Sequence, residues 1–338
     1  MALTEFSFSP NPGNLRAVAT PGPKGAPLVV LLHGCGQTAA GYDAGTGWSR
    51  LAAERGFAVL AMEQKPANNP GTCFDWFLPE DTRRGEGEVE SIAAAIRQMI
   101  AQHGLDGTRV FVTGLSAGGA MTAAMLACYP DMFAAGAVIA GLPYGAASNV
   151  RDALETMRAA PLKTPHQWGD AVRAASAHKG PWPRVSVWHG GMDMTVNISN
   201  AQASAAQWAD VHHLSLTAAH QDVMDGAVRL RWDDALEVIT VPALGHGTPI
   251  DSRDLGAAAP FILDVGISST RHIAEFFGLL ADAKARPKPA RAAPAPVIAE
   301  ALVEIEAVLM PHQPPQLEAR IQAVITKALK AAGLIRKR

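Results

Sequence analysis

Short apolar runs recur along the chain at 28–32, 57–62, 109–113, 136–140, 185–189 and 236–241, with amphipathic stretches between them. This alternation constrains the fold more than any other feature. Parallel strands are covered on both faces and therefore read as nearly continuous apolar runs, and the intervening stretches then supply the covering helices. Residues 88–103 are one such stretch, since Val89, Ile92, Ile96, Met99 and Ile100 fall on a single helical face. Another helix is expected from Ser116 toward Cys128, stopped by Pro130, with 134–141 returning as a strand. The predicted fold class is α/β, with a mostly parallel central sheet flanked by helices.

The segment Gly114-Leu115-Ser116-Ala117-Gly118-Gly119 follows the run RVFVT and precedes the helix-forming AMTAAMLA. A serine on a sharp strand-to-helix turn sits in a strained backbone, and small residues at Gly114, Ala117 and Gly118 relieve the crowding and leave its hydroxyl free. The helix that follows points its free N–H groups and positive dipole end at the site, which favours a developing negative charge. An incidental serine in a Gly-rich turn accounts for the short pattern but not for its setting. Ser116 is the candidate nucleophile.

A nucleophilic serine needs a base, and the base needs an acceptor that fixes its tautomer. In a sheet of this kind the chain order is Ser, then Asp or Glu, then His, each after a strand. Gly190-Gly191-Met192-Asp193 follows the run at 185–189, and Leu244-Gly245-His246-Gly247 follows the run at 236–241. Asp193 and His246 are therefore the candidate acid and base. Asp222, Asp225, Asp233, Asp234 and Asp251 read as surface-turn residues, and Asp170 falls in an irregular insertion. His103, His189, His212 and His213 read as structural. His33-Gly34-Cys35-Gly36-Gln37 is a Gly-rich loop after the first apolar run, the place from which a second oxyanion amide comes. The N–H groups of Cys35 and Ala117 are the candidates, each expected to contribute roughly 2.7–4 kcal/mol to the transition state. His33 reads as an orienting residue of that loop.

Residues 143–183 break the rhythm with Pro, Trp and His and read as a cap insertion. Residues 282–296 are a Pro/Ala-rich linker. Beyond it, Ile298, Leu302, Ile305 and Leu309 form one helical stripe, and Leu317, Ile321, Val324 and Ala328 another. The expected division is a catalytic unit at 1–281, the linker, and an amphipathic helical extension at 297–338. The stripes call for cover by the catalytic body, by a second subunit through self-association, or by a lipid or polyester granule surface, toward which Arg336-Lys337-Arg338 would help.

A formal net charge of −2 supplies no basic footprint for nucleic acid. Three cysteines, Cys35, Cys73 and Cys128, are too few and too scattered for a disulfide framework or a zinc site. The N-terminal segment has neither a basic region nor an apolar core of the secretory type, and no apolar stretch approaches a membrane span. The expectation is a cytoplasmic protein.

Taken together, LLHGCGQTA at 31–39, CFDWF at 73–77, GLSAGGAMT at 114–122, WHGGMDMTV at 188–196 and GHGTP at 245–249 resemble the esterase family named for poly(3-hydroxybutyrate) depolymerases. PFILDVGISST at 260–270 is similar to the tail of its non-secreted bacterial branch, and the resemblance spans roughly 28–280. It implies an α/β-hydrolase fold and hydrolysis of short-chain esters through an acyl-enzyme, with no metal and no organic cofactor. It carries the nucleophile, acid, base and oxyanion amide onto Ser116, Asp193, His246 and Cys35, with 3-hydroxybutyrate-type oligomers or polyester as substrate. Secreted relatives often tie the cysteine of the HGC block into a disulfide, for which Cys35 and Cys73 would be the pair; a cytoplasmic location implies free thiols instead. Trp76 and Phe77, with the insertion, are candidates for a substrate wall, against plain core packing. The rival readings are a feruloyl or acetyl-xylan type carbohydrate esterase and an inactive hydrolase-fold binding scaffold.

Overall fold

All six apolar runs become strands. A computed structural model describes residues 3–280, so the linker and helices expected at 282–338 lie outside the described residues. In chain order the strands are β1 (Thr4–Glu5), β2 (Arg16–Thr20), β3 (Leu28–Leu32), β4 (Ala58–Glu63), β5 (Val110–Leu115), β6 (Ala135–Ile139), β7 (Arg184–Gly190), β8 (His220–Met224), β9 (Ala227–Trp232) and β10 (Leu236–Val241). They form one ten-stranded sheet in the order β1-β2-β4-β3-β5-β6-β7-β10-β9-β8. The middle of that sheet, from β4 through β10, pairs in parallel. Both edges are antiparallel additions. Two short strands, β11 (Thr248–Ile250) and β12 (Ile262–Asp264), pair in parallel apart from the main sheet.

Alternate residues of the same strands feed two cores. Leu28, Val30, Leu32, Val110 and Val112 face α3 (Gly87–His103) and α4 (Ala117–Cys128), whose Val89, Ile92, Ile96 and Met125 share that cluster. Val29, Leu31, Phe111 and Leu115 belong to the opposite cluster, with Trp48 and Phe277. The Phe111 and Phe277 rings stack at 4.7 Å. Trp48 comes from α2 (Trp48–Arg55), which follows α1 (Ala39–Thr46), and Phe277 caps α8 (Ser269–Phe276). Strands clothed on both faces explain why the runs are apolar without alternation. On α3 the expected face is buried at Val89, Ile92, Ile96 and Met99, while Ile100 is only partly covered.

Strand order reverses at β3, whose neighbours are β4 on one side and β5 on the other. Loops at the carboxyl ends of two strands that diverge in this way leave a crevice, the preferred binding position of open α/β sheets. The loop after β3 carries Cys35 and the turn after β5 carries Ser116.

Some edge elements depart from the expectation. Asp222 lies within β8 rather than in a surface turn, held by Arg229 and Arg231 at 2.9 and 3.0 Å. The β8–β9 hairpin turns on Asp225 and Gly226, both with positive φ, the form an Asp-Gly pair favours. Residues 143–183, expected to form a cap insertion, contain α5 (Val150–Arg158) and α6 (Pro165–Ala174), the second of which packs on α7 (Ser199–Val211). Asn149 and Thr164 cap the two helices through their side chains.

Candidate active site

Ser116 closes β5 with φ 56° and ψ −115°, a conformation that a side-chain-bearing residue adopts only at a cost. Its amide donates to the Ile139 carbonyl at 2.9 Å, and its carbonyl accepts from the Ala120 amide at 2.9 Å. The surrounding glycines are required by space. A Cβ at Gly114 would stand 2.4 Å from the Gly118 carbonyl oxygen, and one at Gly119 would stand 2.8 Å from that of Ile139. The first turn of α4 thus lies directly against the ends of β3 and β6, and the hydroxyl is left above them.

The loops after β7 and β10 are joined to each other. The Gly191 and Met192 amides donate to the Val241 and Leu244 carbonyls, each at 2.9 Å, and a Cβ at Gly190 would meet the Leu244 oxygen at 2.3 Å. This close approach brings Asp193 to His246. One carboxylate oxygen of Asp193 accepts the Thr195 and Val196 amides, both at 2.8 Å. The other stands 2.7 Å from His246 Nδ1, and His246 Nε2 stands 2.9 Å from Ser116 Oγ. Because a carboxylate only accepts, Nδ1 carries the proton, and the Nε2 lone pair faces the serine hydroxyl. Burial pushes the Asp193 carboxyl up, but the hydrogen bond from His246, the proximity of the two imidazoles of His246 and His189, and the Val196 amide together hold it below its usual value.

His189 lies beside this chain of contacts without joining it. Its Nε2 donates to the Val196 carbonyl at 2.8 Å, and burial lowers its pKa. His33 is likewise buried, with its pKa lowered by burial. Its Nε2 accepts the Gln64 amide at 3.1 Å, so Nδ1 is the donor, to the Gly34 carbonyl at 2.7 Å. His33 thereby holds the loop that carries Cys35. The Cys35 and Ala117 amides have no hydrogen-bond partner among the described residues.

Cys35 and Cys73 form a disulfide, with Cα atoms 4.3 Å apart, and Cys128 is a buried free thiol. Of the two alternatives, the pairing that the resemblance implied is the one formed, not the free thiols tied to a cytoplasmic location. The Gly36 amide donates to the Gly71 carbonyl at 2.8 Å, so the two loops already run side by side where the sulfurs meet. Trp76 follows Cys73 by three residues. Trp76 packs on Ala120, Leu142 and Val196 and lines a cavity of about 590 Å³ with Tyr144, Ser148 and Lys163. Phe77 lies edge-on to Trp76 at 5.5 Å and is buried.

Several residues at the site carried no role in the sequence reading. The Gln37 side chain accepts the Gly34 amide at 2.9 Å and donates to the Pro260 carbonyl at 3.0 Å, bridging two loops 223 residues apart. Phe261 stands edge-on to His246 at 5.9 Å. Gln37 sits inside the HGCGQ block and Phe261 inside PFILDVG, but neither residue type signals its position. Beneath the Cys73 loop, oxygens of Asp75, Asp81 and Glu88 lie within 4.8 Å of one another. They already accept the Asn69 side chain, the Asp75 and Glu88 amides and the Gln64 side chain.

The chain matches the family described as esterase PHB depolymerase over residues 19–222. It belongs to that family. The matched region contains Ser116 and Asp193 and stops short of His246, which joins them through geometry. Poly(3-hydroxyalkanoate) depolymerase C of Paucimonas lemoignei is 42% identical over 82% of this chain and 70% of its own length. An acetylxylan esterase of Coprinopsis cinerea is 35% identical over 75% of this chain and 71% of its own. Among solved structures, an acetyl xylan esterase from Aspergillus awamori superposes with a TM-score of 0.72 at 26% identity, covering 82% of this chain and 100% of that one. This family member is a serine carboxylic-ester hydrolase with the α/β-hydrolase fold. Among the described residues no helix is long and apolar enough to cross a membrane.

Proposed function

We propose that Ser116, His246 and Asp193 form the catalytic triad of this esterase, acting on short-chain esters of the 3-hydroxyalkanoate kind, as oligomers or polyester. The observation that carries the proposal is the unbroken hydrogen-bonded chain from Ser116 Oγ through both imidazole nitrogens to the Asp193 carboxylate. His246 Nε2 takes the hydroxyl proton as Ser116 Oγ attacks the ester carbonyl. The amides of Cys35 and Ala117, without other partners among the described residues, receive the negative oxygen. His246 then returns the proton to the departing alkoxide, and the C–O bond to the alcohol breaks. Water repeats the sequence on the acyl-enzyme and releases the acid.

The depolymerase relative at 42% identity supports the polyester reading, and the acetylxylan esterases support a carbohydrate ester as second reading. Side-by-side kcat/KM values on 3-hydroxybutyrate oligomers, acetylated xylan and feruloyl esters separate them. The oligomers are expected to lead; a higher value on acetylxylan would replace the first reading with the second. Loss of labelling by a fluorophosphonate would instead support the inactive scaffold.

The Cys35–Cys73 bridge favours an oxidising compartment over the cytoplasmic placement expected from the N-terminal segment. Trp76, packed on the cluster of Ala120 and Val196 beside the triad loops, is the proposed substrate wall, with α5 and α6 of the insertion as its cap. The catalytic unit is proposed to span 1–281, with 297–338 serving granule adsorption or self-association. Removing residues 297–338 should release the enzyme from sedimenting polyester granules or lower its assembly state; a truncated chain that behaves like the full one would overturn that role.

A further inference from the structure

We infer that Phe261 is a specificity-determining residue that reads the alcohol side of the scissile ester. The inference rests on the triad assignment above. Residues 259–262 have the form of a type II turn: the Ile262 amide donates to the Ala259 carbonyl at 2.9 Å, Pro260 occupies the second position, and Phe261 at the third has φ 62°. That third position favours Gly or Asn, because a side chain there crowds the backbone. A bulky aromatic is an outlier at such a site, and strained residues of this kind gather where structure serves function.

Packing does not account for the phenylalanine, because its side chain remains 44% exposed while the adjacent Ile262 is buried. The backbone strain and the exposed apolar ring therefore have one evident return, which is position. The turn is fixed from two sides. The Thr248 amide donates to the Phe261 carbonyl at 2.9 Å, and a Cβ at Gly247, next to His246, would stand 2.7 Å from that same oxygen. Gln37 holds the Pro260 carbonyl from the loop that carries Cys35. The outcome is a ring edge-on to His246, with centroids 5.9 Å apart and planes at 72°.

Chemistry decides which part of a substrate meets that ring. The carbonyl oxygen of the ester faces the Cys35 and Ala117 amides, whereas the leaving oxygen must approach His246 Nε2 to receive its proton. A group flanking the imidazole therefore flanks the alcohol. The favoured alcohol carries an apolar or aromatic body close to the ester oxygen.

Two ester series test this in wild type, Phe261→Gly and Phe261→Tyr. One series holds the acyl group as acetyl and varies the alcohol from methyl to benzyl; the other holds p-nitrophenol and lengthens the acyl chain. In Phe261→Gly the preference for benzyl over methyl acetate in kcat/KM should fall about tenfold, the scale of an apolar pocket contact. The shape of the acyl-length profile should not change, and Phe261→Tyr should keep the wild-type alcohol preference. Because glycine suits the turn, the melting temperature of Phe261→Gly should hold or rise. A uniform loss across alcohols, a shifted acyl profile, or a lower melting temperature with uniform loss would overturn the inference. Fluorophosphonate labelling of each preparation keeps the two claims apart: wild type that fails to label contradicts the triad, whereas labelled enzyme with an unchanged alcohol profile contradicts only the role of Phe261.

Discussion

Gly118 and Leu32 meet where α4 abuts β3, and a Cβ at Gly118 would stand 2.2 Å from the Leu32 carbonyl oxygen. Neither partner can yield, since one is in the first turn of the helix and the other is backbone at the end of a central strand. Gly118→Ala is expected to destabilise the fold by about 2 kcal/mol or more, as overpacking of a closed interior does. Thermal denaturation with and without the substitution measures it, and a melting temperature equal to wild type would mean that the elbow is looser than the geometry requires.

Asp193 fixes the proton of His246 on Nδ1 by accepting from it at 2.7 Å. An amide at this position can present N–H to the ring and stabilise the wrong tautomer. Asp193→Asn should lower kcat by about 10⁴ while the circular dichroism spectrum stays the same. An effect of only a few-fold would redirect attention to another carboxylate.

The buried acids beneath the Cys73 loop give a pH dependence with a definite sign. Burial pushes the Asp75 carboxyl up to about 6, against its hydrogen bond from Asn69 and with help from the nearby charges of Asp81 and Glu80. Burial likewise raises Glu88 well above the usual carboxylate range. A carboxyl with a raised folded pKa favours the fold when protonated. Its contribution is complete below the unfolded value of about 3.9 and is lost as pH rises through the folded value. Asp75→Asn removes that loss. The melting temperature of the variant relative to wild type should therefore climb as pH rises from about 4 through about 7. A difference that stays flat across this interval would contradict the assignment.

The disulfide makes two linked predictions. Denatured but unreduced protein should titrate one thiol, that of Cys128, against three after reduction. Cys35→Ser with Cys73→Ser should cost roughly 3 kcal/mol of stability, the scale for closing a loop of this kind. The same change should lower kcat more than it raises KM, because the bridge holds the loop whose Cys35 amide is proposed to receive the developing oxyanion. Three thiols in the unreduced protein would remove the premise.

Much of the centre of the fold was legible because strands covered on both faces must be apolar throughout, as at 28–32 and 110–115. Ser116, Asp193 and His246 were legible for a related reason. Gly114, Gly118, Gly190, Gly191 and Gly247, in the turns that carry them, stand where a Cβ would meet backbone, and glycine is visible in a sequence. The edges were harder to read. Arg16–Thr20 and His220–Met224 are short and flanked by polar turns, and edge strands gain order from their neighbours more than from their own pattern. Gln37 and Phe261 were silent because their roles arise from contacts with residues distant in the chain. The helices at 143–183 were obscured by a division into two short elements, each with its own cap.

Turnover of Ser116→Ala with p-nitrophenyl butyrate tests the nucleophile most directly. Loss of the attacking oxygen should reduce kcat by about 10⁶, to the level left by binding and oxyanion stabilisation alone, with the folded state retained. Turnover within about tenfold of wild type in folded Ser116→Ala protein would contradict the assignment of the nucleophile and of every role derived from it.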